Sequence, residues 1–320
     1  MPDVAEDLMD TPYDDDTPAA DTLQRPADFD DFWLDTLNTL ATIPFEIQVE
    51  RSQSLGNGLQ LDSLCFQSWA ACPIRGYLLH QNSAKPRPLV VYTHGYNGQY
   101  DIARPWAERG LDVFGFDIRG FGRSKVGGSI HAEGWILTGI ESARTSILRG
   151  AMCDYYRAVD VARRLLPQPP RTLFYGYSFG GALALMGAAL RQDADCVAAG
   201  VPSLGWMAGR RQLVKAGSGK EVNDHLARHP RLIETVMNSL AYFDCANFAD
   251  RVQAPCLIGV GLRDIVVPAA TVRAISDRLR CAKVVREFPV SHSNLKQEQL
   301  WRNFETEWIN LALNGQLAKM

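Results

Sequence analysis

The sequence lacks the features that would direct a protein to a membrane or to nucleic acid. It contains no run of about 18 to 20 apolar residues, and its N-terminus has neither the basic start nor the apolar stretch of a secretory signal. The net charge is −3 and the pI is near 6.1, and Lys and Arg are scattered rather than clustered. These absences predict a cytoplasmic protein that binds neither membranes nor nucleic acid.

Patterns typical of disulfides, metals and nucleotides are also missing. The seven cysteines are an odd number without C-x-x-C spacing, and most lie in apolar stretches, which predicts buried free thiols. No group of His, Cys, Asp or Glu has the spacing of zinc ligands, and no G-x-G-x-x-G opens a helix after the first strand. The sequence therefore predicts neither a metal nor a cofactor.

The chain divides into an acidic tail and one large domain. Residues 1–25 are rich in Asp and Pro and poor in large apolar residues, which predicts disorder. After Pro26, the helical spacing of Phe29, Phe32 and Trp33 predicts an amphipathic helix that docks on the domain. Since 46% of the residues are apolar, residues 26–320 can bury the core of one domain.

The rest of the domain predicts an α/β fold with a mostly parallel central sheet flanked by helices. Three early β-like runs predict an antiparallel edge, and later short apolar runs alternate with helical stretches, as buried parallel strands do. Residues 202–243 connect two predicted sheet strands and are longer than an ordinary crossover between them. This length predicts a helical insertion, or lid, before the strand that leads to Asp264. The predicted strands are 45–49, 61–69, 74–80, 89–93, 111–116, 172–175, 196–201, 256–260 and 283–288, and the main helices are 152–166, 179–190, 269–279 and 295–313.

The clearest chemical motif is Gly176-Tyr177-Ser178-Phe179-Gly180, which lies between a predicted strand and a predicted helix. This is the G-x-S-x-G nucleophile elbow in the context that it requires. A serine hydroxyl is a poor nucleophile unless a base lies beside it, and the flanking glycines allow the sharp turn that exposes the hydroxyl. Ser178 is therefore the predicted nucleophile.

An elbow serine needs an acid and then a histidine later in the chain, each after a strand. Asp264 follows the strand in PCLIGVG, and His292 follows the strand in VVREFPV. We predict that His292 Nε2 accepts the Ser178 proton, while Asp264 orients the imidazole and stabilises its cation. The other histidines, including His94 at the end of an earlier strand, fit this role less well.

The negative charge that develops on a substrate carbonyl requires fixed donors. Such donors are usually the backbone N–H after the nucleophile and one in the loop after the first sheet strand. These positions correspond to Phe179 and to the segment HGYNG, in which we choose Tyr96. In the later segment DIRGFGRS we expect a structural role, with Arg119 tying loops together.

Longer segments resemble the acetyl xylan esterase and cephalosporin C deacetylase family, carbohydrate esterase family seven. The likeness begins near Pro26 and is carried by RPADFDDFW, HGYNG, RGAMCDYYRAVDVARRL and LAYFDCANFADRVQAPCLIGVGLRDIVVP. The resemblance implies an α/β-hydrolase fold and removal of acetyl groups from acetylated sugars and small esters. The resemblance also implies the same site residues: Ser178, Asp264, His292, Tyr96 and Phe179. Members of the family are commonly hexamers, so the resemblance implies a homo-oligomer here.

Three positions depart from the family pattern. Phe121 and Phe179 replace glutamines of the family, and Ser293 replaces a glutamate. Backbone donors do not depend on these side chains, but two phenylalanines make the pocket less polar. We therefore hypothesise a shift from sugar acetates towards more apolar short-chain esters.

Two other functions remain open from the sequence. Another serine acyl hydrolase, such as a thioesterase or a peptidase, would use the same three residues with a different leaving group. A ligand-binding protein could retain the fold without catalysis, because a fold alone does not fix a function.

Overall fold

The computed structural model describes residues 23–82, 85–125, 130–166, 168–295, 299–314 and 316. Most of the predicted acidic tail, residues 1–22, lies outside the described residues. The last residues of that segment contact the domain: Arg25 Nη2 donates to the carbonyl of Asn247 at 2.7 Å, and Asn247 Nδ2 donates to the carbonyl of Gln24 at 3.0 Å.

The described residues form one nine-stranded sheet in the order β1-β2-β3-β5-β4-β6-β7-β8-β9. Its first strands pair antiparallel as far as the β3–β5 contact, and all pairs from β5 to β9 are parallel. The strands are β1 Ile47–Gly56, β2 Leu59–Gln67, β3 Pro73–Gln81, β4 Leu89–Thr93, β5 Asp112–Phe116, β6 Thr172–Tyr177, β7 Cys196–Gly200, β8 Cys256–Gly261 and β9 Lys283–Phe288.

The burial of the strands explains why their sequences are so apolar. Every residue of β4 to β8 is buried, because helices cover both faces of the sheet. The helices outside the β7–β8 connection are α1 Phe29–Thr42, α2 Arg104–Glu108, α3 Ile147–Leu165, α4 Phe179–Arg191, α8 Ala269–Arg278, α9 His292–Leu295 and α10 Gln299–Asn314. The predicted α/β fold with a mostly parallel sheet is confirmed.

Helices α4 and α10 lie on opposite faces of this sheet. A Cβ built at Gly181 of α4 would lie 3.4 Å from Ala199 Cβ, whereas one built at the next strand residue, Gly200, would lie 3.3 Å from the ring of Trp301 in α10. Successive strand residues point to opposite faces, so β7 is enclosed between the two helices.

The connection from β7 to β8 contains three helices: α5 Met207–Leu213, α6 Gly217–Arg228 and α7 Ile233–Leu240. This confirms the predicted helical insertion before the strand that leads to Asp264. Helix α1 packs beside the end of the insertion, where Phe32 and Trp33 contact the ring of Phe243. All seven cysteines are free thiols and five are buried. None of the helices described is long and apolar enough to cross a membrane.

Candidate active site

Ser178 lies in a strained turn between β6 and α4. Its φ of 55° and ψ of −117° are unfavourable for a residue with a side chain. A Cβ at Gly176 would lie 2.0 Å from the carbonyl oxygen of Gly180, and one at Gly180 would lie 2.4 Å from that of Thr93. The two glycines of the motif are therefore required by close backbone contacts around Ser178.

Hydrogen bonds with β7, α4 and the loop after β7 hold this turn in place. The backbone N–H of Ser178 donates to the carbonyl of Gly200 at 2.8 Å. Its carbonyl accepts hydrogen bonds from the N–H groups of Ala182 and Ser203, both at 3.1 Å. These bonds stabilise a backbone conformation that would be unfavourable in an isolated peptide.

Asp264 and His292 are in direct contact. Asp264 follows β8 and is buried, and its Oδ2 lies 2.6 Å from Nδ1 of His292. Its other oxygen, Oδ1, accepts hydrogen bonds from the N–H groups of Val266 and Val267, both at 2.8 Å. Because the carboxylate accepts from Nδ1–H, neutral His292 carries its lone pair on Nε2. This is the nitrogen that a general base needs.

His292 lies beside the turn that carries Ser178. Tyr177, which immediately precedes the serine, donates its hydroxyl hydrogen to the carbonyl of His292 at 2.8 Å. The ring centroids of Tyr177 and His292 are 5.9 Å apart. The histidine side chain retains 21% exposure, whereas that of Asp264 has none. The imidazole is thus partly accessible and hydrogen-bonded to a buried carboxylate.

The loop after β4 lies against Ser178. A Cβ built at Gly95 would lie 3.3 Å from Ser178 Cβ and 3.9 Å from its Oγ, so the backbone at this position approaches the serine closely. Tyr96 follows Gly95, and Phe179 is the first residue of α4. The N–H groups in the first turn of a helix have no acceptor within that helix. The two predicted donors therefore adjoin, in the chain, residues that lie at the turn: Tyr96 follows Gly95, and Phe179 follows Ser178.

His94 and Arg119 have structural partners. The Nδ1 of His94 lies 2.7 Å from the carbonyl oxygen of Gly95, and its Nε2 accepts the N–H of Ile118 at 3.1 Å. Arg119 binds Asp154 through Nε at 2.8 Å and Nη2 at 2.6 Å. Burial opposes the charge of Arg119, but the adjacent carboxylate outweighs this effect and raises the pKa of the guanidinium. Arg119 thus ties the loop after β5 to helix α3.

An aromatic wall, formed by Tyr96, Phe121, Trp135 and Phe179, borders the serine. Ring centroids are 4.9 Å apart for Phe121 and Trp135, 5.5 Å for Trp135 and Phe179, and 6.3 Å for Tyr96 and Phe179. The sequence interpretation did not select Trp135, because it follows no strand and belongs to no motif. The two phenylalanines that depart from the family pattern both lie in this wall.

Glu221 of α6 connects the insertion to the aromatic wall. The Tyr96 hydroxyl donates to Glu221 Oε2 at 2.6 Å and accepts the N–H of Ile136 at 3.1 Å. Burial and the hydrogen bond to Glu221 raise the pKa of Tyr96. The sequence interpretation missed Glu221 as well, since no local pattern pairs two residues that are 125 positions apart.

Comparisons with known proteins place this arrangement in a family. The sequence profile of acetyl xylan esterase (AXE1) matches residues 8–308. The chain is 23% identical over 304 residues to acetyl esterase Axe7A from Xylanibacter ruminicola; the match covers 90% of this chain, which spans 66% of that relative's length.

Two solved structures have the same fold. The acetyl xylan esterase from Paenibacillus sp. R4 has a TM-score of 0.82 at 24% identity, covering 91% of this chain and 96% of that one. Acetyl xylan esterase 1 from Thermoanaerobacterium sp. JW/SL YS485 has a TM-score of 0.79 at 22% identity, covering 90% and 94% of the two chains. The structures establish the α/β-hydrolase fold, and the profile match over nearly the whole chain shows that this protein belongs to the acetyl xylan esterase family.

Proposed function

We propose that this protein is a serine carboxylic-ester hydrolase that removes acetyl or other short acyl groups from small esters. The observation that carries the proposal is the 2.6 Å contact between Asp264 and His292 beside the strained turn of Ser178. The acetyl xylan esterase family and the relative Axe7A, an acetyl esterase, support acetyl esters as substrates. The proposed catalytic residues are Ser178, His292 and Asp264.

In the first half of the reaction, Ser178 Oγ attacks the ester carbonyl and His292 Nε2 accepts the hydroxyl proton. The N–H groups of Tyr96 and Phe179 donate to the oxyanion of the tetrahedral intermediate. When the carbonyl re-forms, the C–O bond to the alcohol breaks and His292 returns the proton to the leaving oxygen. The acyl group then remains on Ser178.

The second half repeats these proton transfers with water. His292 Nε2 accepts a proton from water, whose oxygen attacks the acyl carbonyl. Collapse of the second intermediate releases the carboxylic acid and returns the proton to Ser178. Asp264 remains ionised throughout, holding the imidazole orientation and stabilising its cationic form. The mechanism requires no group beyond these residues.

The substrate preference follows from the aromatic wall. Phe121 and Phe179 are buried apolar residues of this wall where the family usually has amides, so a sugar hydroxyl has fewer hydrogen-bond partners there. The proposed preference is for short acyl chains on alcohols more apolar than xylose. The two structural relatives are named acetyl xylan esterases. A sugar acetate is therefore the substrate with which the proposed preference for apolar esters is to be compared.

The test is kcat/KM on p-nitrophenyl esters from acetate to octanoate, with acetylated xylose alongside and Ser178→Ala as the control. Activity restricted to the shortest chains and abolished in Ser178→Ala supports the proposal. A maximum on long chains would instead indicate a general carboxylesterase. A clear preference for acetylated xylose over p-nitrophenyl acetate would refute the apolar-ester hypothesis.

Fluorophosphonate labelling distinguishes the other candidate functions. An activated Ser178 reacts with this probe whatever the natural leaving group, so a thioesterase or a peptidase also becomes labelled. A ligand-binding protein without an activated serine does not. The homo-oligomer, with a hexamer as the commonly expected form, remains a prediction that light scattering on the purified protein would test.

A further inference from the structure

A second cluster of titratable side chains lies where the loop before Trp135 meets α6. His131 and Glu133 belong to the loop before Trp135, and His225 belongs to α6. Each of the three residues offers one donor atom, and these atoms all lie within 4.8 Å of one another. We propose that His131, Glu133 and His225 form a binding site for a divalent transition-metal ion of the zinc class, separate from the ester-hydrolysing residues.

The chemistry of these donors selects the class of ion. Two imidazoles and one carboxylate suit zinc and its transition-metal neighbours, whereas calcium and magnesium favour sites made entirely of oxygen. Tetrahedral zinc with bonds of about 2.1 Å places its ligand atoms about 3.4 Å apart. Small side-chain rotations therefore bring this cluster to a zinc geometry.

The fold around the cluster already positions one of its three ligands and leaves a fourth coordination position open. His225 is 7% exposed and held on a helix, so this ligand is already positioned. Its Nδ1 lies 3.3 Å from Glu133 Oε2, and its ring centroid is 5.5 Å from that of His131. His229 follows α6 and its ring centroid is 4.7 Å from that of His225, but it is not part of the converging group, so water completes the proposed coordination.

Two existing contacts compete with the ion. Arg228 Nη2 lies 2.8 Å from Glu133 Oε2, and the N–H of Glu133 donates to His131 Nδ1 at 3.2 Å. The Arg228 side chain is 52% exposed, and such pairs contribute little stability. A bound cation would thus replace the proton on His225 Nδ1 and displace the guanidinium from the carboxylate.

Metal binding would link the insertion to the loop that leads into the aromatic wall. Glu221, one turn before His225 on α6, binds the hydroxyl of Tyr96. A Cβ built at Gly134, directly after Glu133, would lie 2.3 Å from Glu221 Oε2, so the loop and α6 are in close contact here. An ion shared by His131, Glu133 and His225 would therefore join the loop that carries Trp135 to the helix that carries Glu221.

The test uses the full chain without a histidine tag, after removal of metals with a chelator. Co²⁺ is titrated while its visible d–d absorption is recorded, and Zn²⁺ binding is measured by calorimetry. We expect one equivalent of Co²⁺ with the spectrum of a low-coordinate nitrogen and oxygen site. His131→Ala and His225→Ala should each weaken binding by more than about tenfold, since loss of even a residue that only hydrogen-bonds a metal ligand typically costs about 10- to 100-fold.

Two further variants sharpen the result. His80→Ala is the matched control, because His80 pairs with Asp62 on the antiparallel part of the sheet and should leave metal binding unchanged. Arg228→Ala should tighten binding, because it frees the Glu133 carboxylate. No saturable binding by the wild type, equal binding in the wild type and both cluster histidine variants, or weaker binding in Arg228→Ala would each overturn the proposal. Circular dichroism verifies that each variant is folded, and none of these measurements depends on esterase activity.

Discussion

Replacing Asp264 by Asn tests whether the buried acid selects the tautomer of His292. The amide has almost the same shape as the carboxylate, so the fold should be retained. The N–H groups of Val266 and Val267 both point at Oδ1 at 2.8 Å, and only the amide oxygen can accept them. The amide NH₂ must then face His292 Nδ1, which forces the proton onto Nε2 and removes the general base.

The structure also sets the magnitude of this effect. Rotating the amide to restore the productive tautomer would leave the N–H groups of Val266 and Val267 without an acceptor, at about 1 to 3 kcal/mol each. The productive form is therefore disfavoured by about 2 to 6 kcal/mol, a factor between about 30 and about 25,000. Loss of the negative charge beside the imidazolium adds to this. We expect kcat/KM to fall by about 10,000-fold, as such a change does in serine hydrolases that use this mechanism.

The assay is kcat/KM on p-nitrophenyl acetate, together with the rate of fluorophosphonate labelling and the melting temperature. The labelling rate should fall together with kcat/KM, because both depend on activated Ser178. Asp62→Asn is the matched control: Asp62 also contacts a histidine, His80 Nε2 at 3.1 Å, but on the antiparallel part of the sheet. Retention of activity within about tenfold in folded Asp264→Asn would refute the assigned role of the acid.

Three other substitutions test the surroundings of the site. Gly180→Ala should destabilise the fold by about 1 to 3 kcal/mol and abolish most activity, because its Cβ would lie 2.4 Å from the Thr93 carbonyl oxygen; an unchanged melting temperature and kcat would contradict this. Tyr96→Phe retains the backbone N–H and removes the hydrogen bond to Glu221, so KM should rise while kcat falls less than about tenfold. A far larger fall in kcat would show that the hydroxyl takes part in the reaction itself. Buried Arg210 donates to the carbonyl of Val266 at 3.1 Å, beside the N–H that binds Asp264. Arg210→Met should lower kcat about tenfold without changing KM, because the acid loop loses this support; unchanged kcat would contradict this.

The parallel part of the sheet could be predicted from the sequence because burial leaves a simple pattern. Strands β4 and β9 begin and end at the predicted residues, 89–93 and 283–288. Strand β1 was harder: its prediction covered 45–49, whereas the strand occupies 47–56. Most of β1 is exposed and its residues are polar, so neither a continuous apolar run nor a strict alternation marks its extent.

The proposed catalytic residues were easier to predict than their surroundings. Ser178, Asp264 and His292 follow β6, β8 and β9 in chain order, and parallel strands bring their carboxyl ends to one edge. Chain order alone thus indicates that these three residues come to the same edge of the sheet. Trp135 and Glu221 follow no strand, and their positions depend on how a long loop and the insertion pack. No spacing in the sequence encodes such contacts.

The residues proposed to react and the residues proposed to select the ester are held by different parts of the fold. The proposed nucleophile and oxyanion donors are held by the sheet and by backbone contacts that require glycine at positions 176 and 180. The aromatic wall instead includes Tyr96, whose hydroxyl donates a hydrogen bond to Glu221 in the insertion. Changes in α6 can therefore alter which ester fits without displacing the reacting atoms. It follows that substrate preference should respond to substitutions in α6 through KM, whereas kcat on a small activated acetate should remain nearly constant.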